Sequence, residues 1–274
     1  MMRSLAVLVQ YDGSGFSGWQ RQPASRTVQA DVEAALGIIM GEDVSVLAAG
    51  RTDAGVHALG QVVSFRTRGS VPTRRLPFAL NANLPPDVRV LAAQAVPDDF
   101  HATRSALAKT YVYAVWNRPL AGPWLSRYAL MDPVQLDVGR MRQAAQHLEG
   151  EHDFRAFCAS GSTAKATVRT VLEARIDESK GLVTLGVTAN GFLYNMVRIM
   201  AGTLLAVGKG ALPVTCIQDA LRNGERETLG ATAPPHGLWL VAVNYPEPVG
   251  QIKDPYRTAN GMLSLTRCLT TYYN

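Results

Sequence analysis

The order of the apolar segments near the start of the chain restricts the possible folds more than any other feature of this sequence. Runs of strand length alternate with segments in which apolar residues recur at helical spacing, in the order strand, helix, strand, strand, helix, strand. The predicted elements cover residues 4–11, 27–40, 44–49, 61–65, 73–83 and 88–96. This βαββαβ order predicts a ferredoxin-like split motif.

The second half of the chain repeats this order with one additional short helix. Its predicted elements cover residues 110–116, 138–148, 168–176, 182–187, 192–207, 214–222 and 238–243. We therefore predict an α+β protein of two ferredoxin-like halves, residues 1–105 and 106–249. The two halves are expected to join into one mainly antiparallel mixed sheet with helices on one face and a central cleft. Residues 250–274 are interpreted as a tail of uncertain structure.

The charge of the chain favours a polyanionic partner. Its net charge is +5 and its sequence pI is about 9.2, and a basic surface attracts polyanions. Most of the basic residues are arginines, whose planar guanidinium holds phosphates and stacks on bases. GC-rich coding would also produce an arginine-rich chain, so charge alone leaves nucleic-acid binding open.

Cysteine spacing gives no indication of a metal site or of disulfides. The three cysteines lie far apart and form no Cys-x-x-Cys pair, so thiols in a reducing cytoplasm are the simplest interpretation. The histidines and acidic residues at 147–153 do not have the spacing of a standard metal site, and we interpret them as a solvated helix end. No stretch is long enough to span a membrane. We therefore expect a cytoplasmic protein without a metal or cofactor.

One carboxylate is set apart in the segment between two predicted strands. Asp53 lies between Gly50 and Gly55, which permit backbone angles closed to other residues and let a ligand approach closely. Arg51 provides a counter-charge that would keep the carboxylate ionised. His57, slightly further on, is interpreted as a packing residue or a backbone contact rather than as a base. An ordinary hairpin turn, where Asp and Gly are common, is the competing interpretation.

A glycine-rich segment follows the first predicted strand. Gly13 to Gly18 fits the G-x-G-x-x-G pattern of dinucleotide-binding turns. That pattern requires a helix at the third glycine, and Pro23 would break such a helix. We therefore reject a nucleotide cofactor and favour a loop that presents an exposed Trp19 and Arg21 to RNA.

Arg198 and two tyrosines are candidates in the second half. Arg198 lies inside an otherwise apolar helical segment, where an arginine is costly unless it is paired. Alternatively, it lies at the helix edge and extends to water. Tyr111 and Tyr113 alternate along one predicted strand and share a face, so spacing alone does not separate a pocket residue from a core residue.

The stretch GRTDAGVHA at residues 50–58 resembles the signature of the A-type tRNA pseudouridine synthases. Further motifs occur in the order of that family. They are YDGSGFSGWQ at 11–20, FHA at 100–102, KTYVY at 109–113, TVR at 167–169, FLYNMVR at 192–198 and GLWL at 237–240. Several separated motifs in the right order are far more specific than any one of them.

The resemblance implies a cofactor-free isomerase that converts uridine to pseudouridine in the anticodon stem-loop of tRNA, at positions 38–40. It also implies a homodimer with RNA in the central cleft. Asp53 would be the catalytic nucleophile or base, with Arg198 as its basic partner. Tyr111 aligns with the family's active-site tyrosine, which would stack on the target uracil or assist proton transfer at C5. Arg51 would face RNA or hold Asp53 in place.

One position departs from the family pattern. The family usually has arginine directly after Phe-His-Ala, whereas this chain has Thr103 followed by Arg104. An RNA contact or a structural ion pair would then be shifted by one residue. The competing function is a non-catalytic RNA-binding protein of paired ferredoxin-like units, which would keep a basic cleft but would not require Asp53 together with Arg198.

Overall fold

The computed structural model describes residues 1–250 and residue 252, which form two compact units. Among the described residues, unit 1 comprises Met1–Lys109 together with residues 239–250 and 252, and unit 2 comprises Thr110–Leu238. Apart from residues 250 and 252, the predicted tail lies outside the described residues.

The predicted strands and helices occur in the predicted order along the chain, with two additional short strands. In the described part of the chain, the strands are β1 Arg3–Tyr11, β2 Val46–Ala48, β3 His57–Thr67, β4 Val88–Ala95, β5 Ala108–Trp116, β6 Leu130–Met131, β7 Gly150–Asp153, β8 Val168–Ser179, β9 Leu182–Ala189 and β10 Leu238–Asn244. The helices are α1 Val28–Met40, α2 Leu76–Asn81, α3 Val138–Gln146, α4 Met196–Gly208 and α5 Cys216–Asn223.

The sheet of unit 1 is built around β3. One edge of β3 pairs antiparallel with β1, which in turn pairs antiparallel with β4. At the other edge, β2 pairs antiparallel with the end of β3, where Val46 lies opposite Phe65. Because β2 has only three residues, it leaves the start of that edge uncovered, and β10 pairs there in parallel, with Trp239 opposite His57. The last strand was predicted in the second half, but this pairing groups it with unit 1.

Helix α1 forms where the apolar spacing predicts it. Gly41 ends the helix in the left-handed conformation, with φ of 68°, and its N–H donates to the Gly37 carbonyl. Thr27 occupies the N-cap position, although its side chain makes no capping hydrogen bond. The buried face consists of Val28, Val32, Ala35, Leu36 and Met40.

The sheet of unit 2 has the strand order β5-β9-β8-β7, and β6 lies parallel to β5. β8 and β9 form an antiparallel hairpin whose turn residues, Lys180 and Gly181, both have positive φ. The sequence did not predict β6 or β7, because β6 has two residues and β7 is a polar GEHD segment without apolar alternation.

Helices α3 and α4 pack against each other in unit 2, and the residue before each helix determines where it begins. Helix α3 begins as predicted at Val138. Its N-cap is Asp137, whose carboxylate accepts a hydrogen bond from the Arg140 backbone N–H at 3.0 Å. Helix α4 begins at Met196, four residues later than predicted, because Asn195 has a left-handed φ of 61° that a helical residue cannot adopt. Ten of the 13 residues of α4 are buried, so it is the central helix of the unit 2 core.

These pairings confirm the predicted α+β class with a mixed, mostly antiparallel sheet. The finer predictions, matching halves with helices on one face and a central cleft, stay predictions. Within residues 1–250 and 252, the structure contains no helix that combines the length and apolar character needed to cross a membrane.

Candidate active site

The loop that carries Asp53 connects β2 to β3. Asp53 is half-buried, Arg51 is exposed and Thr52 is 7% exposed. The backbone N–H of Val56 donates to the Asp53 carbonyl at 3.2 Å, and Gly55 between them has φ of 79°. Asp53 therefore begins a tight turn that uses the backbone freedom of Gly55, as the sequence predicted.

The glycine-rich segment that follows β1 packs against this loop. The backbone N–H of Trp19 donates to the Thr52 carbonyl at 3.0 Å. Gly18 has φ of 93°, and a Cβ on it would lie 2.8 Å from the Thr52 carbonyl oxygen and 3.2 Å from the Ala54 nitrogen. A side chain at this position would therefore displace the Asp53 loop. The glycine-rich segment after β1 and the Asp53 loop are therefore in direct contact, although they are distant in sequence.

Trp19 is not the exposed, RNA-facing aromatic residue that the sequence predicted. Its side chain is 2% exposed, and its ring lies 6.0 Å from that of Tyr11. A large aromatic side chain removes much apolar area from water when it is buried, and Trp19 does so in the core of unit 1. Arg21 is exposed, and its guanidinium pairs with Glu33 at 2.5 Å. The next helix, α1, begins at Val28, as expected if this segment does not hold a dinucleotide.

A buried polar network supports the Asp53 loop from β1 and β3. The hydroxyl oxygens of Tyr11 and Thr52 lie 2.8 Å apart, and Gln61 Nε2 donates to the Gly50 carbonyl at 2.7 Å. The side chain of Gln61 also hydrogen-bonds Tyr11. Burial raises the pKa of Tyr11 to about 12, while the hydrogen bonds with Thr52 and Gln61 oppose this shift. The Tyr11 hydroxyl is therefore neutral at physiological pH.

His57 is a buried packing residue at the start of β3. Its ring stacks on Trp239 with centroids 4.3 Å apart. Its Nδ1 accepts a hydrogen bond from the Gly13 N–H at 3.1 Å and lies 3.3 Å from a carboxylate oxygen of Asp12. These contacts agree with the interpretation of His57 as a packing residue rather than a base, because a fully buried ring does not reach a substrate.

The departure at Thr103 has a structural counterpart next to the Asp53 loop. The Thr103 hydroxyl donates to the carbonyl of Ala48 at 2.6 Å, and Ala48 is the last residue of β2. The backbone N–H of Thr103 donates to His101 Nδ1 at 3.2 Å. Thr103 therefore holds the segment after Phe-His-Ala against β2 through a neutral hydrogen bond, while Arg104 is exposed.

In unit 2, the guanidinium of Arg198 is held by protein groups. Arg198 is the third residue of α4 and is half-buried. Its Nη1 donates to Asn195 Oδ1 at 2.8 Å, and its Nε donates to the Ala233 carbonyl at 2.8 Å. Of the two interpretations of this arginine, the paired one fits these contacts, because the head group is bonded within the protein.

Tyr111 and Tyr113 are both buried along β5. Tyr111 is 7% exposed, and its ring meets that of Phe192 edge-on, with centroids 4.9 Å apart. The Tyr113 hydroxyl donates to the Pro234 carbonyl at 2.9 Å. Burial raises the pKa of Tyr113 well above its usual value, and the charge of Arg198 partly opposes this shift. Tyr113 is thus a core residue whose hydroxyl is hydrogen-bonded, which is one of the two alternatives that the strand spacing left open.

The predicted site residues divide between the two units. Asp53 and Arg51 belong to unit 1, and Tyr111 and Arg198 belong to unit 2. Sequence reasoning missed four residues that contact them or their loop, namely Tyr11, Thr52, Gln61 and Asn195. Tyr11 and Gln61 could have been noticed, because a polar side chain in a buried strand needs a hydrogen-bond partner.

The histidines and acidic residues at 147–153 make local contacts. His152 Nε2 lies 2.8 Å from the Glu149 carbonyl, and Asp153 forms an ion pair with Arg155. In the part of the chain that the structure describes, no group of three or more His, Cys, Asp or Glu residues could hold a metal ion.

Comparison with known proteins gives a family for this chain. The family model for tRNA pseudouridine synthase matches residues 7–103 and 144–246. The tRNA pseudouridine synthase A of Caldicellulosiruptor bescii is 43% identical over 244 residues, which cover 89% of this chain and 100% of that protein. The tRNA pseudouridine synthase A of Moorella thermoacetica is 45% identical over 246 residues, covering 89% of this chain and 100% of that protein.

Among solved structures, a chain of the archaeal box H/ACA sRNP Nop10-Cbf5 complex is similar to this one. The match covers 73% of this chain and 44% of the other, with 16% identity and a TM-score of 0.32. That likeness is too weak to support a structural comparison. The family model and the relatives, by contrast, match most of the chain and agree with the motifs that surround Asp53. The chain belongs to the tRNA pseudouridine synthase family.

Proposed function

We propose that this chain converts uridine to pseudouridine in the anticodon stem-loop of tRNA, with Asp53 as the catalytic carboxylate. Family membership gives the reaction class, an isomerase that acts on tRNA. The observation that supports Asp53 is the construction of its loop. The carboxylate is half-buried, while the residue before it and the turn after it are held by hydrogen bonds.

The reaction needs a carboxylate and no redox partner. The bond between N1 and C1′ breaks, the uracil turns, and a bond forms between C5 and C1′. C5 loses its proton and N1 gains one, so atoms and charge balance. Asp53 can attack the base at C6, attack the sugar at C1′ or remove a sugar proton. Each route requires an ionised carboxylate that a flipped base can reach, and a half-buried position suits both requirements.

Arg198 is proposed as the basic partner of Asp53. A guanidinium close to a carboxylate favours its ionised form and fixes its orientation. Two hydrogen bonds, to Asn195 and to the Ala233 carbonyl, support a fixed head group for this role. Tyr111 is proposed to stack on the target uracil or to assist proton transfer at C5, and the exposed Arg51 to contact RNA or to hold Asp53 in place.

We further propose tRNA as the partner, a homodimer as the working unit and the cytoplasm as the location. The net charge of +5 favours a polyanionic partner. Sedimentation equilibrium tests the dimer directly, because a dimer has twice the 29.6 kDa of the chain. A monomer at the concentrations that support full activity would reject the dimer without affecting the other proposals.

The substrate is tested by mapping pseudouridine in unmodified tRNA transcripts after incubation with the protein. A matched transcript in which cytidine replaces the uridines of the anticodon arm serves as the control. We expect product in the anticodon arm of the first transcript and none in the second. Product confined to another arm would reject the proposed target. Tight binding without product would favour the non-catalytic RNA-binding alternative.

A further inference from the structure

We propose that Tyr11 is a positioning residue that holds the Asp53 loop in place through Thr52. This inference rests on the proposed catalytic role of Asp53. It concerns the groups that support the loop rather than the carboxylate itself, and Tyr11 and Thr52 are both buried.

Thr52, the residue directly before Asp53, is held at two points. Its hydroxyl oxygen lies 2.8 Å from the hydroxyl oxygen of Tyr11 in a buried environment. Its carbonyl accepts a hydrogen bond from the Trp19 N–H at 3.0 Å. On the other side, the Asp53 carbonyl accepts the N–H of Val56 at 3.2 Å. The backbone around the carboxylate is thus fixed from both directions.

Gln61 orients Tyr11 and fixes the beginning of the loop. One amide hydrogen of Gln61 goes to the Gly50 carbonyl at 2.7 Å. The other is available for the Tyr11 oxygen, with which Gln61 is also hydrogen-bonded. On its other side, the Tyr11 hydroxyl shares a hydrogen bond with the Thr52 hydroxyl, in which either oxygen can be the donor. The network therefore runs from Gln61 through Tyr11 to the residue next to Asp53.

A shift in strand register brings these groups together. Val9 of β1 lies opposite Gln61 of β3, but Tyr11 lies opposite Ala58. Two residues of advance in β1 therefore match three residues in β3, which is the count of a β-bulge. Bulges are frequent beside active sites because they redirect side chains, and this one lies at the start of β3, where the Asp53 loop ends.

The Tyr11 hydroxyl makes contacts that its ring does not replace. The ring fills space against Trp19, with centroids 6.0 Å apart, and phenylalanine would fill the same space. Without the hydroxyl, the Thr52 oxygen and one amide hydrogen of Gln61 lose a buried partner, which is unfavourable. The loop would then shift to a position in which Thr52 forms another hydrogen bond. A small displacement of a reacting group strongly lowers the reaction rate.

The test compares Tyr11→Phe with Tyr245→Phe. Both changes remove one buried hydroxyl from unit 1, and the Tyr245 hydroxyl donates to the Ala102 carbonyl at 2.8 Å, outside the Asp53 loop. For Tyr11→Phe we expect kcat for pseudouridine formation to fall roughly ten- to a hundredfold, with KM and the Kd for tRNA changed less than about twofold. For Tyr245→Phe we expect wild-type kcat despite a comparable loss of stability.

Thr52 variants test the other end of the same hydrogen bond. Thr52→Ser keeps the hydroxyl and should retain most of the turnover, whereas Thr52→Val should resemble Tyr11→Phe. The double variant Tyr11→Phe with Thr52→Val should be no slower than the slower single variant, because both changes remove one shared interaction. Fully additive losses in rate, or equal losses in Tyr11→Phe and Tyr245→Phe, would overturn the positioning role.

Failure of this inference is distinguishable from failure of the proposed function. An inactive Asp53→Asn variant combined with wild-type kcat in Tyr11→Phe would overturn the positioning role alone. Wild-type turnover by Asp53→Asn would overturn both proposals. The reaction would then not need the Asp53 carboxylate, so its positioning by Tyr11 would not affect the rate.

Discussion

Asn195 holds the guanidinium of Arg198, the third residue of α4, instead of capping that helix. It occupies the N-cap position of α4 with φ of 61°, and its side chain makes no hydrogen bond to the helix backbone. Its Oδ1 accepts a hydrogen bond from Arg198 Nη1 at 2.8 Å. Asparagine is among the best N-cap residues, so in this helix its amide is used to orient the proposed partner of Asp53.

Replacement of Asn195 by glycine should lower turnover without unfolding the protein. Glycine adopts the left-handed conformation readily, so Asn195→Gly removes the amide and keeps the backbone. Arg198 then loses one hydrogen bond, and we expect kcat about tenfold lower with less than about 1.5 kcal/mol lost from the free energy of unfolding. Steady-state kinetics on tRNA transcripts and urea unfolding measure the two effects.

Two further variants interpret that result. Arg198→Ala should abolish activity and lower stability, because the half-buried guanidinium and its hydrogen bonds are removed together. Asn195→Ala should be less stable than Asn195→Gly, because alanine is strained at φ of 61°. Wild-type kcat in Asn195→Gly would contradict the role assigned to this hydrogen bond.

Gly18→Ala should impair turnover more than stability alone explains. A Cβ at Gly18 would lie 2.8 Å from the Thr52 carbonyl oxygen, so the Asp53 loop must move. Gly41→Ala is the matched control, because Gly41 also has positive φ, at 68°, but a Cβ there meets nothing within 4 Å. Each change should cost about 1–3 kcal/mol of stability, and only Gly18→Ala should lower kcat. Equal kcat in the two variants would contradict the contact between Gly18 and the loop.

Stability should fall in alkaline solution because buried tyrosines resist ionisation. Burial raises the pKa of Tyr11 from 10.0 to about 12, so its contribution is complete below pH 10 and is lost as pH rises towards 12. At pH 11 the ionised form of the tyrosine outnumbers the neutral form about tenfold in the unfolded chain. Folding must return the proton, which lowers the free energy of unfolding by about 1.4 kcal/mol. Burial also raises the pKa values of Tyr113 and Tyr245, which adds losses of the same sign.

Urea unfolding at pH 8 and pH 11 measures this effect. The wild type should lose more free energy of unfolding between the two pH values than Tyr11→Phe does, by about 1.4 kcal/mol. The same pH dependence in both proteins would show that Tyr11 ionises with an ordinary pKa and is not buried as described.

The order of strands and helices could be predicted because burial imposes a period on the sequence. β1 is a continuous apolar run of strand length, and α1 repeats its apolar residues at helical spacing, so both could be recognised. β6 and β7 do not, since they are two and four residues long and β7 is polar. The start of α4 was missed for a different reason. The helical spacing continues before Met196, and only the backbone angle of Asn195 shows where the helix begins.

The Asp53 loop could be predicted from its glycines and its resemblance to a family signature, but its support could not. Tyr11, Thr52 and Gln61 are joined by hydrogen bonds between residues far apart in sequence, and such contacts leave no periodic pattern. The burial of Trp19 was missed for the same reason, because its neighbours come from other segments of unit 1.

The central claim is that the Asp53 carboxylate carries out the chemistry. The most direct measurement is pseudouridine formation in a tRNA transcript with enzyme in excess, comparing wild type, Asp53→Asn and Asp43→Asn. Asp43 is an exposed carboxylate in the same unit and undergoes the same chemical change. We predict no product from Asp53→Asn with tRNA binding and thermal stability close to those of the wild type, and wild-type product from Asp43→Asn. Product from Asp53→Asn at a rate near that of the wild type would contradict the account.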